Sequence, residues 1–360
     1  EHDFRHPQLY FSVPRIVVIG EESSGKSSTL ERLASFKFFP SDRHLCTRMP
    51  IELRLRFKAS TSIDDEYRSK GYVMMKLNKS KNSRLPDIDD VGPLHPHEVE
   101  MQVKEWMENF VRASNNELIG VISDCMVIEL FSSKRVNLDV IDLPGIVAGS
   151  IKNEPSNMMQ LTRDLSTQYI IHPHTIVVAV VPATEKRVRN SQAMELVQRN
   201  KKESLTIGAL TMTDLSSDPR NAEDPFWLLK ERLNGDADDL PLLGHGYVGL
   251  KNRDTSCKIG TSDLTSVRDS ENIFFQENLN DFKNCGIDFL VDKLLEIVES
   301  YIKSTWVEDE TLRLQKFLVQ MSEELDNLGP VITKVSELND LVQDVLPGTA
   351  SDFQEWKYSS

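Results

Sequence analysis

The sequence predicts an α/β protein with a mostly parallel central sheet that is flanked by helices. Short runs of β-branched residues alternate with amphipathic stretches at helical spacing, which is the pattern of βαβ units. One of these runs, residues 15–19, leads directly into a glycine-rich turn and then an amphipathic stretch. The chain has 360 residues, enough for one large domain or two ordinary ones.

Strands are expected where several consecutive residues are apolar and β-branched. The clearest run is 175–181, whose continuous apolar character is typical of a strand buried on both faces, and which is far too short to span a bilayer. The full set of expected strands is 15–19, 51–57, 72–77, 125–130, 137–141, 175–181, 205–210 and 246–249.

Helices are expected where apolar residues recur every three to four positions. This spacing predicts helices over 26–34, 97–113, 157–171, 190–199 and 225–233. From about Glu271 the strand pattern stops, and 287–328 predicts one or two long amphipathic helices that end at Gly329-Pro330. Another helix is expected to begin within 331–345.

Charge and cysteine content exclude several classes of protein. A net charge of −14 argues against general binding to nucleic acid or anionic lipid. The four cysteines are far apart and lack C-x-x-C spacing, which favours a reducing, cytoplasmic setting. No signal peptide pattern is visible, and the missing initiator methionine favours a piece of a longer protein.

Residues 20–27 read G-E-E-S-S-G-K-S, a phosphate-binding motif directly after the first expected strand. Its glycines allow the backbone to curl so that successive N–H groups point at an anion, and the helix that follows adds its positive end. Lys26 is expected at the β- and γ-phosphates, and the Ser27 hydroxyl suits a Mg²⁺ ligand. The alternative is a glycine-containing surface turn. The expected phosphate-binding residues are Gly20, Ser24, Gly25, Lys26, Ser27 and Ser28.

Kinases, ATPases and GTPases all use such a loop, and a second segment narrows the choice. The expected strand 137–141 leads into D-x-x-G, with Asp142 and Gly145 as its fixed positions. An aspartate at that strand end can hold Mg²⁺ through water, and the glycine N–H can bind a γ-phosphate. The alternative interpretation is a tight turn after a core strand.

Two segments are candidates for recognising the base of a nucleotide. The sequence Thr211-Met212-Thr213-Asp214 follows the strand 205–210, and a carboxylate there can accept both N1–H and N2–H₂ of guanine, a pair of donors that adenine lacks. This favours GTP over ATP, and an ATPase is the disfavoured alternative. The structural alternative is that Asp214 only caps a helix before Leu215. The loop Asn252-Arg253-Asp254 follows strand 246–249, where it would flank the base.

Together these motifs resemble those of the dynamin superfamily of large GTPases. The matching segments are GEESSGKSSTLERL, LCTRMP, DLPGI, TMTDL and GYVGLKNR, in this order. Lys26 and Asp142 are 116 positions apart (142 − 26), which leaves room for the extended insertion typical of dynamins. The resemblance, over about residues 10–328, implies a GTPase domain over 1–285, a helical bundle-signalling-like element over 286–330, and a stalk-like helix or tail over 331–360.

The resemblance also implies activity and partners. It implies a mechanochemical protein that binds GTP and GDP with Mg²⁺, self-associates through the GTPase domain and couples hydrolysis to membrane remodelling. The protein would be cytoplasmic and recruited peripherally to a membrane through regions outside this chain. The implied Mg²⁺ ligands are Ser27, Thr47 and Asp142. Thr47 would also hold the attacking water, and Ser23 would help bind a monovalent cation, K⁺ or Na⁺.

Several positions depart from the dynamin pattern. Glu22 stands where dynamins carry a water-orienting glutamine, and its charge beside the γ-phosphate predicts slower turnover. Residues 39–44 lack the glycines that ligate the monovalent cation, so that site is in doubt. In the same loop, Arg43 is either an arginine finger acting in cis or a solvated surface residue.

Two further departures concern the base and the dimer. Met212 replaces a lysine that packs over guanine, which predicts weaker affinity with the same choice of base. Around 185–187, basic residues replace the family's acidic residue at the dimer interface, which predicts weak or altered self-association. A nucleotide-binding scaffold with little hydrolysis therefore stays open as the alternative to an active GTPase.

Overall fold

The computed structural model describes residues 13–39, 48–57, 72–80, 83, 85, 89–113, 121–132, 137–147, 149, 155–253 and 263–328. The chain divides into two compact units. The first runs from residue 12 to residue 306 and carries every strand of the described residues. The described part of the second unit is a single long helix, Val307–Leu328.

A nine-stranded sheet forms the centre of the first unit, as far as the described residues show. Its strands are β1 (Arg15–Gly20), β2 (Ile51–Phe57), β3 (Tyr72–Asn78), β4 (Val91–Leu94), β5 (Cys125–Ser132), β6 (Leu138–Asp142), β7 (Thr175–Pro182), β8 (Thr206–Thr211) and β9 (Tyr247–Gly249). Their order across the sheet is β4-β3-β5-β2-β6-β1-β7-β8-β9.

The half of the sheet from β6 to β9 is entirely parallel, and so is the pair β2–β5. The pairs β2–β6, β3–β5 and β3–β4 are antiparallel. Parallel neighbours end at the same edge of a sheet, so β1, β6, β7, β8 and β9 present their carboxyl ends together. That edge is where the sequence motifs lie.

Helices of the described residues cover both faces of this sheet. They are α1 (Lys26–Ala34), α2 (Pro96–Ala113), α3 (Met158–Ile170), α4 (Gln192–Arg199), α5 (Trp227–Asn234), α6 (Leu264–Asn278) and α7 (Ile287–Tyr301). A π-helical segment, Ile302–Trp306, follows α7. The helix of the second unit, Val307–Leu328, is α8.

Side chains alternate between the two faces of the sheet along the central strands, and this produces one apolar core on each face. In β1, Ile16 and Val18 pack with residues of α1, α2 and α7, whereas Val17 and Ile19 pack with residues of α4, α5 and α6. Successive side chains of a strand point to opposite faces, so a strand covered on both sides needs apolar residues at every position. This requirement explains the continuous apolar run of β7.

The predicted fold class is confirmed, and each predicted strand is present with ends that shift by no more than two residues. Two elements were not predicted. The strand β4 contains Gly92-Pro93, a turn signal, and it is tolerated because β4 is an edge strand that needs few donors. In α6 the buried positions are Val267, Glu271 and Phe275, and the charged middle residue conceals the helical pattern.

The predicted helical region 287–328 contains two helices, α7 and α8, with the π-helical segment between them. Among the described residues, no helix combines the length and the apolar character that crossing a membrane requires. The helix predicted within 331–345 lies outside the described residues.

Candidate functional site

The phosphate-binding motif forms the turn between β1 and α1. Ser23 and Gly25 both have positive φ, 61° and 95°, and Gly25 is the N-cap of α1. A Cβ on Gly20 would lie 2.5 Å from the carbonyl oxygen of Val180 and 2.6 Å from Ser24 Oγ. The loop therefore closes tightly against β7, and both glycines of the motif are required by geometry.

The Lys26 side chain is buried beneath this loop. Its Nζ donates to the carbonyl oxygens of Gly20, at 3.1 Å, and Glu21, at 2.8 Å. Only 6% of the residue is exposed. A fixed cation is thereby held at the point where the first strand ends and the first helix begins, as phosphate binding requires.

Asp142 lies at the carboxyl end of β6, next to β1, and is buried. No hydrogen bond of ordinary geometry reaches either carboxylate oxygen from the described residues. Burial raises the pKa of Asp142 to about 7, and the Lys26 ammonium and the Leu143 N–H act against this rise. A buried carboxylate with so few donors favours a bound cation.

The chemistry of this part of the site fits Mg²⁺. The candidate ligands Asp142 and Ser27 offer only oxygen atoms, the donors that this hard cation prefers. Ser27 lies in the first turn of α1 and is half-buried. The third candidate ligand, Thr47, lies outside the described residues.

The D-x-x-G segment after β6 is bonded to the phosphate loop. The Ile146 N–H donates to Gly20 O at 3.0 Å, and the Glu22 N–H donates to Ile146 O at 3.2 Å. A Cβ on Gly145 would lie 2.9 Å from Glu22 Cα. Gly145 and Glu22, the two positions predicted to act at the γ-phosphate, are therefore in contact through the backbone.

The segment after β8 is joined to the same loop. The Thr211 hydroxyl donates to Ser24 O at 2.6 Å. Met212 then adopts a left-handed conformation, with φ 55°, and caps a 3₁₀ turn that contains Asp214. Asp214 is half-buried, and burial raises its pKa although Lys251 and Arg253 act in the opposite direction.

The loop after β9 packs against α1. Asn252 Nδ2 donates to Thr29 Oγ1 at 2.8 Å and to Gly25 O at 3.4 Å. The Thr213 hydroxyl donates to Leu250 O at 3.0 Å, which joins this loop to the segment that carries Asp214. The Asn252 carboxamide is thus engaged with the helix of the phosphate loop.

Most of the predicted site residues meet at one edge of the sheet. The described members are Gly20, Glu22, Ser23, Ser24, Gly25, Lys26, Ser27, Ser28, Asp142, Gly145, Thr211, Met212, Asp214, Asn252 and Arg253. Arg43, Thr47 and Asp254 lie outside the described residues, as do residues 40–44 of the predicted cation-binding segment. The roles given to these residues stay predictions.

Sequence reasoning missed three side chains that support the site. The Glu21 carboxylate accepts the Gln192 N–H at 2.7 Å, at the start of α4. Arg32 and Glu271 form a buried ion pair behind the loop after β9. A charged residue among the apolar positions of α1 was the available signal for Arg32.

A phosphate loop between a strand and a helix, with a buried aspartate on the adjacent strand, defines a P-loop nucleoside-triphosphate-binding protein. The sequence profile of the dynamin family matches residues 16–213, more than half of the chain. The chain belongs to the dynamin family. The resemblance seen in the sequence motifs is confirmed.

Similar proteins include several dynamins and dynamin-related proteins. Dynamin-related protein dnm1 of Schizosaccharomyces pombe is 28% identical over 339 residues, which cover 89% of this chain and 42% of the relative. Dynamin-3 of Mus musculus is 30% identical over 264 residues, covering 73% and 26%. Vacuolar protein sorting-associated protein 1 of S. pombe is 26% identical over 355 residues, covering 96% and 49%. The chain thus spans about a quarter to a half of the length of these relatives.

Proposed function

We propose that this chain binds GTP together with Mg²⁺ and hydrolyses it to GDP and phosphate with the residues assembled at the carboxyl edge of the sheet. The observation that carries the proposal is the buried Asp142 carboxylate, which accepts no hydrogen bond of ordinary geometry from the described residues and feels the charge of the Lys26 ammonium. Such an arrangement suits a site whose charges are completed by a divalent cation and a polyphosphate.

The phosphates would be held by the N–H groups of residues 24–28 and by Lys26. Ser27, Thr47 and Asp142 would hold Mg²⁺, which when bound neutralises charge between the β- and γ-phosphates. Gly145 would donate its N–H to the γ-phosphate, and Glu22, bonded to the same segment, would orient the attacking water. Arg43 is the candidate for an arginine finger in cis.

Base recognition is proposed for the segments after β8 and β9. Asp214 would accept both guanine donors, Met212 would cover one face of the ring, and the loop Asn252-Arg253-Asp254 would flank the other side. The contacts from Thr211 to Ser24 and from Asn252 to Thr29 support this proposal because they place both segments against the phosphate loop.

We further propose that this chain is the GTPase domain, 1–285, with a helical bundle-signalling-like element over 286–330 and either the start of a stalk-like helix or a tail over 331–360. Hydrolysis would be coupled through self-association of GTPase domains to membrane remodelling, with cytoplasmic protein recruited to the membrane through other regions. Binding of K⁺ or Na⁺ beside Ser23 belongs to the same proposal. The family membership supports these steps.

A nucleotide-binding scaffold with little hydrolysis is the second candidate. The observation in its favour is the position of Glu22, whose backbone contacts Gly145 and whose side chain is exposed. A carboxylate beside the γ-phosphate would oppose the charge that develops in the transition state.

Phosphate release from GTP and from ATP tests both candidates. We expect the parent chain to release phosphate from GTP and the Lys26→Ala variant to release none. In competition for the site, ATP should bind at least about a hundredfold more weakly than GTP. Tight GTP binding without turnover at any protein concentration would favour the scaffold. A rate that rises with protein concentration would support catalysis through a dimer, and comparison with and without K⁺ tests the monovalent cation.

A further inference from the structure

A buried ion pair lies behind the proposed base-binding loop. Arg32 projects from α1 and Glu271 from α6, and their side chains are only 2% and 1% exposed. The pair is bidentate: Arg32 Nη1 donates to Glu271 Oε1 at 2.7 Å, and Nη2 donates to Oε2. This is the strong form of the arginine–carboxylate interaction.

Further hydrogen bonds of this pair go to the loop after β9. Arg32 Nη1 also donates to the carbonyl oxygen of Lys251, at 3.0 Å, and to Asn252 Oδ1, at 3.2 Å. Glu271 Oε1 accepts the Lys251 N–H at 2.8 Å. The N–H and the C=O of Lys251 are therefore both bound by the two members of one ion pair.

The same carboxylate and the same helix fix the surroundings of this loop. Glu271 Oε2 accepts the N–H of Ile287, the first residue of α7, at 3.0 Å. The Lys251 ammonium donates to Ser270 Oγ on α6, at 2.6 Å. The loop is consequently attached to α1 on one side and to α6 on the other.

Removing two charges from water is costly, and well-packed apolar residues can be at least as stabilising as a buried ion pair. We therefore attribute the role of this pair to its positioning of residues 251–252 rather than to stabilisation of the fold. The helix α1 begins at the phosphate loop and carries Arg32 two turns later. The pair thus sets the position of residues 251–252 relative to the phosphate loop.

We propose that Arg32 and Glu271 are positioning residues that set the affinity of the site for the guanine base. This inference rests on the proposed function, in which the loop that includes Asn252 and Arg253 flanks that base. The pair holds residues 251–252 in place before nucleotide arrives, so that little ordering of them is required on binding. Both side chains are buried, so they would act on the nucleotide only through that loop.

The test compares a ligand that has a base with one that has none. Dissociation constants for GDP and for pyrophosphate are measured by calorimetry, in the presence of Mg²⁺, for the parent chain and Arg32→Met. We expect GDP binding to weaken by about tenfold to a hundredfold, because a charge-assisted contact to the loop is lost. Pyrophosphate binding should stay within about threefold, since pyrophosphate uses only the phosphate loop.

Steady-state kinetics gives a second readout. The KM for GTP should rise in Arg32→Met while kcat stays within about threefold, because the pair acts on binding rather than on chemistry. Arg32→Lys should recover part of the affinity, since an ammonium can contact Glu271 but lacks the planar fork that reaches the loop as well.

Two variants control for loss of stability. Arg232→Met removes another buried arginine, which is paired with Asp239 and bonded to the carbonyl oxygens of Ala183 and Glu185. It should lower the melting temperature without changing the ratio of the two dissociation constants. The double variant R32M/E271M removes both charges and so leaves neither one buried and unpaired. It can be measured in place of Arg32→Met if that single variant does not fold.

Equal weakening of GDP and pyrophosphate in Arg32→Met, or no change in either, would overturn the positioning role. These results are distinguishable from failure of the proposed function. A parent chain that binds ADP as tightly as GDP would overturn the guanine site itself. A different outcome is that the parent prefers GDP while the ratio of the GDP and pyrophosphate dissociation constants is unchanged in Arg32→Met and in R32M/E271M. That result would overturn only the inference about the ion pair.

Discussion

A single methyl group at Gly145 tests whether the contact between the D-x-x-G segment and the phosphate loop controls hydrolysis. In Gly145→Ala the new Cβ would lie 2.9 Å from Glu22 Cα and 3.0 Å from Glu22 N, whereas ordinary contacts begin at 3.4 Å. The two backbones must therefore separate by about 0.5 Å (3.4 − 2.9) to reach an ordinary contact distance. Both are held by the hydrogen bonds of Ile146 to Gly20 and to Glu22, so the separation strains these bonds.

The expected effect is on the chemical step. A displacement of this size at a group that orients the water or the γ-phosphate lowers the rate by about tenfold to a hundredfold. GDP has no γ-phosphate, so its affinity should change by less than about threefold. Single-turnover hydrolysis at saturating GTP measures the rate of the chemical step, and titration with a fluorescent GDP analogue measures the affinity for GDP.

Gly149→Ala is the matched control for this prediction. Gly149 belongs to the same stretch of chain, yet a Cβ there meets no atom of the described residues within 4 Å. Its hydrolysis rate should equal that of the parent. The reasoning would be refuted by a Gly145→Ala protein that hydrolyses GTP within threefold of the parent rate at an unchanged melting temperature.

Three further predictions follow from the base site and the core. Asp214→Asn should weaken GDP binding by about a hundredfold and favour xanthosine diphosphate, because an amide cannot accept both guanine donors; a competition titration in which GDP keeps its full affinity would contradict this. Because guanine needs the ionised carboxylate and burial raises the Asp214 pKa, GDP affinity of the parent should fall as the pH drops through that raised pKa, starting at higher pH than for an ordinary aspartate; a flat profile of the dissociation constant down to pH 4 would refute this. Leu290→Ala, at a fully buried position of α7, should lower the free energy of unfolding by about 2–5 kcal/mol in urea titrations, and a loss below about 1 kcal/mol would show that α7 contributes little to the core.

The sequence predicted those features that depend on neighbouring residues. The strand β7 is evident because burial on both faces requires an unbroken apolar run, and the phosphate loop is evident because its function requires eight consecutive residues. These parts of the fold and the site follow from local pattern and local chemistry.

What the sequence concealed depends on long-range contacts. Arg32 and Glu271 are 239 positions apart, and each one alone reads as a solvent-facing charge on a helix. Their burial follows only from the fold, which brings α1 and α6 together at this ion pair. The helix α6 itself went unpredicted because Glu271 interrupts its apolar face. Charged residues at buried helical positions therefore mislead a pattern based on hydropathy.

The helix α1 gives the nucleotide site a fixed dimension. Gly25 at its N-cap and Arg32 are seven positions apart (32 − 25), a span of about 10 Å at the helical rise of about 1.5 Å per residue. One inserted residue between Ser27 and Arg32 would rotate the arginine by about 100° around the helix axis and move it away from Glu271. The number of residues in this segment, as well as their identity, is therefore constrained by the contact between Arg32 and Glu271.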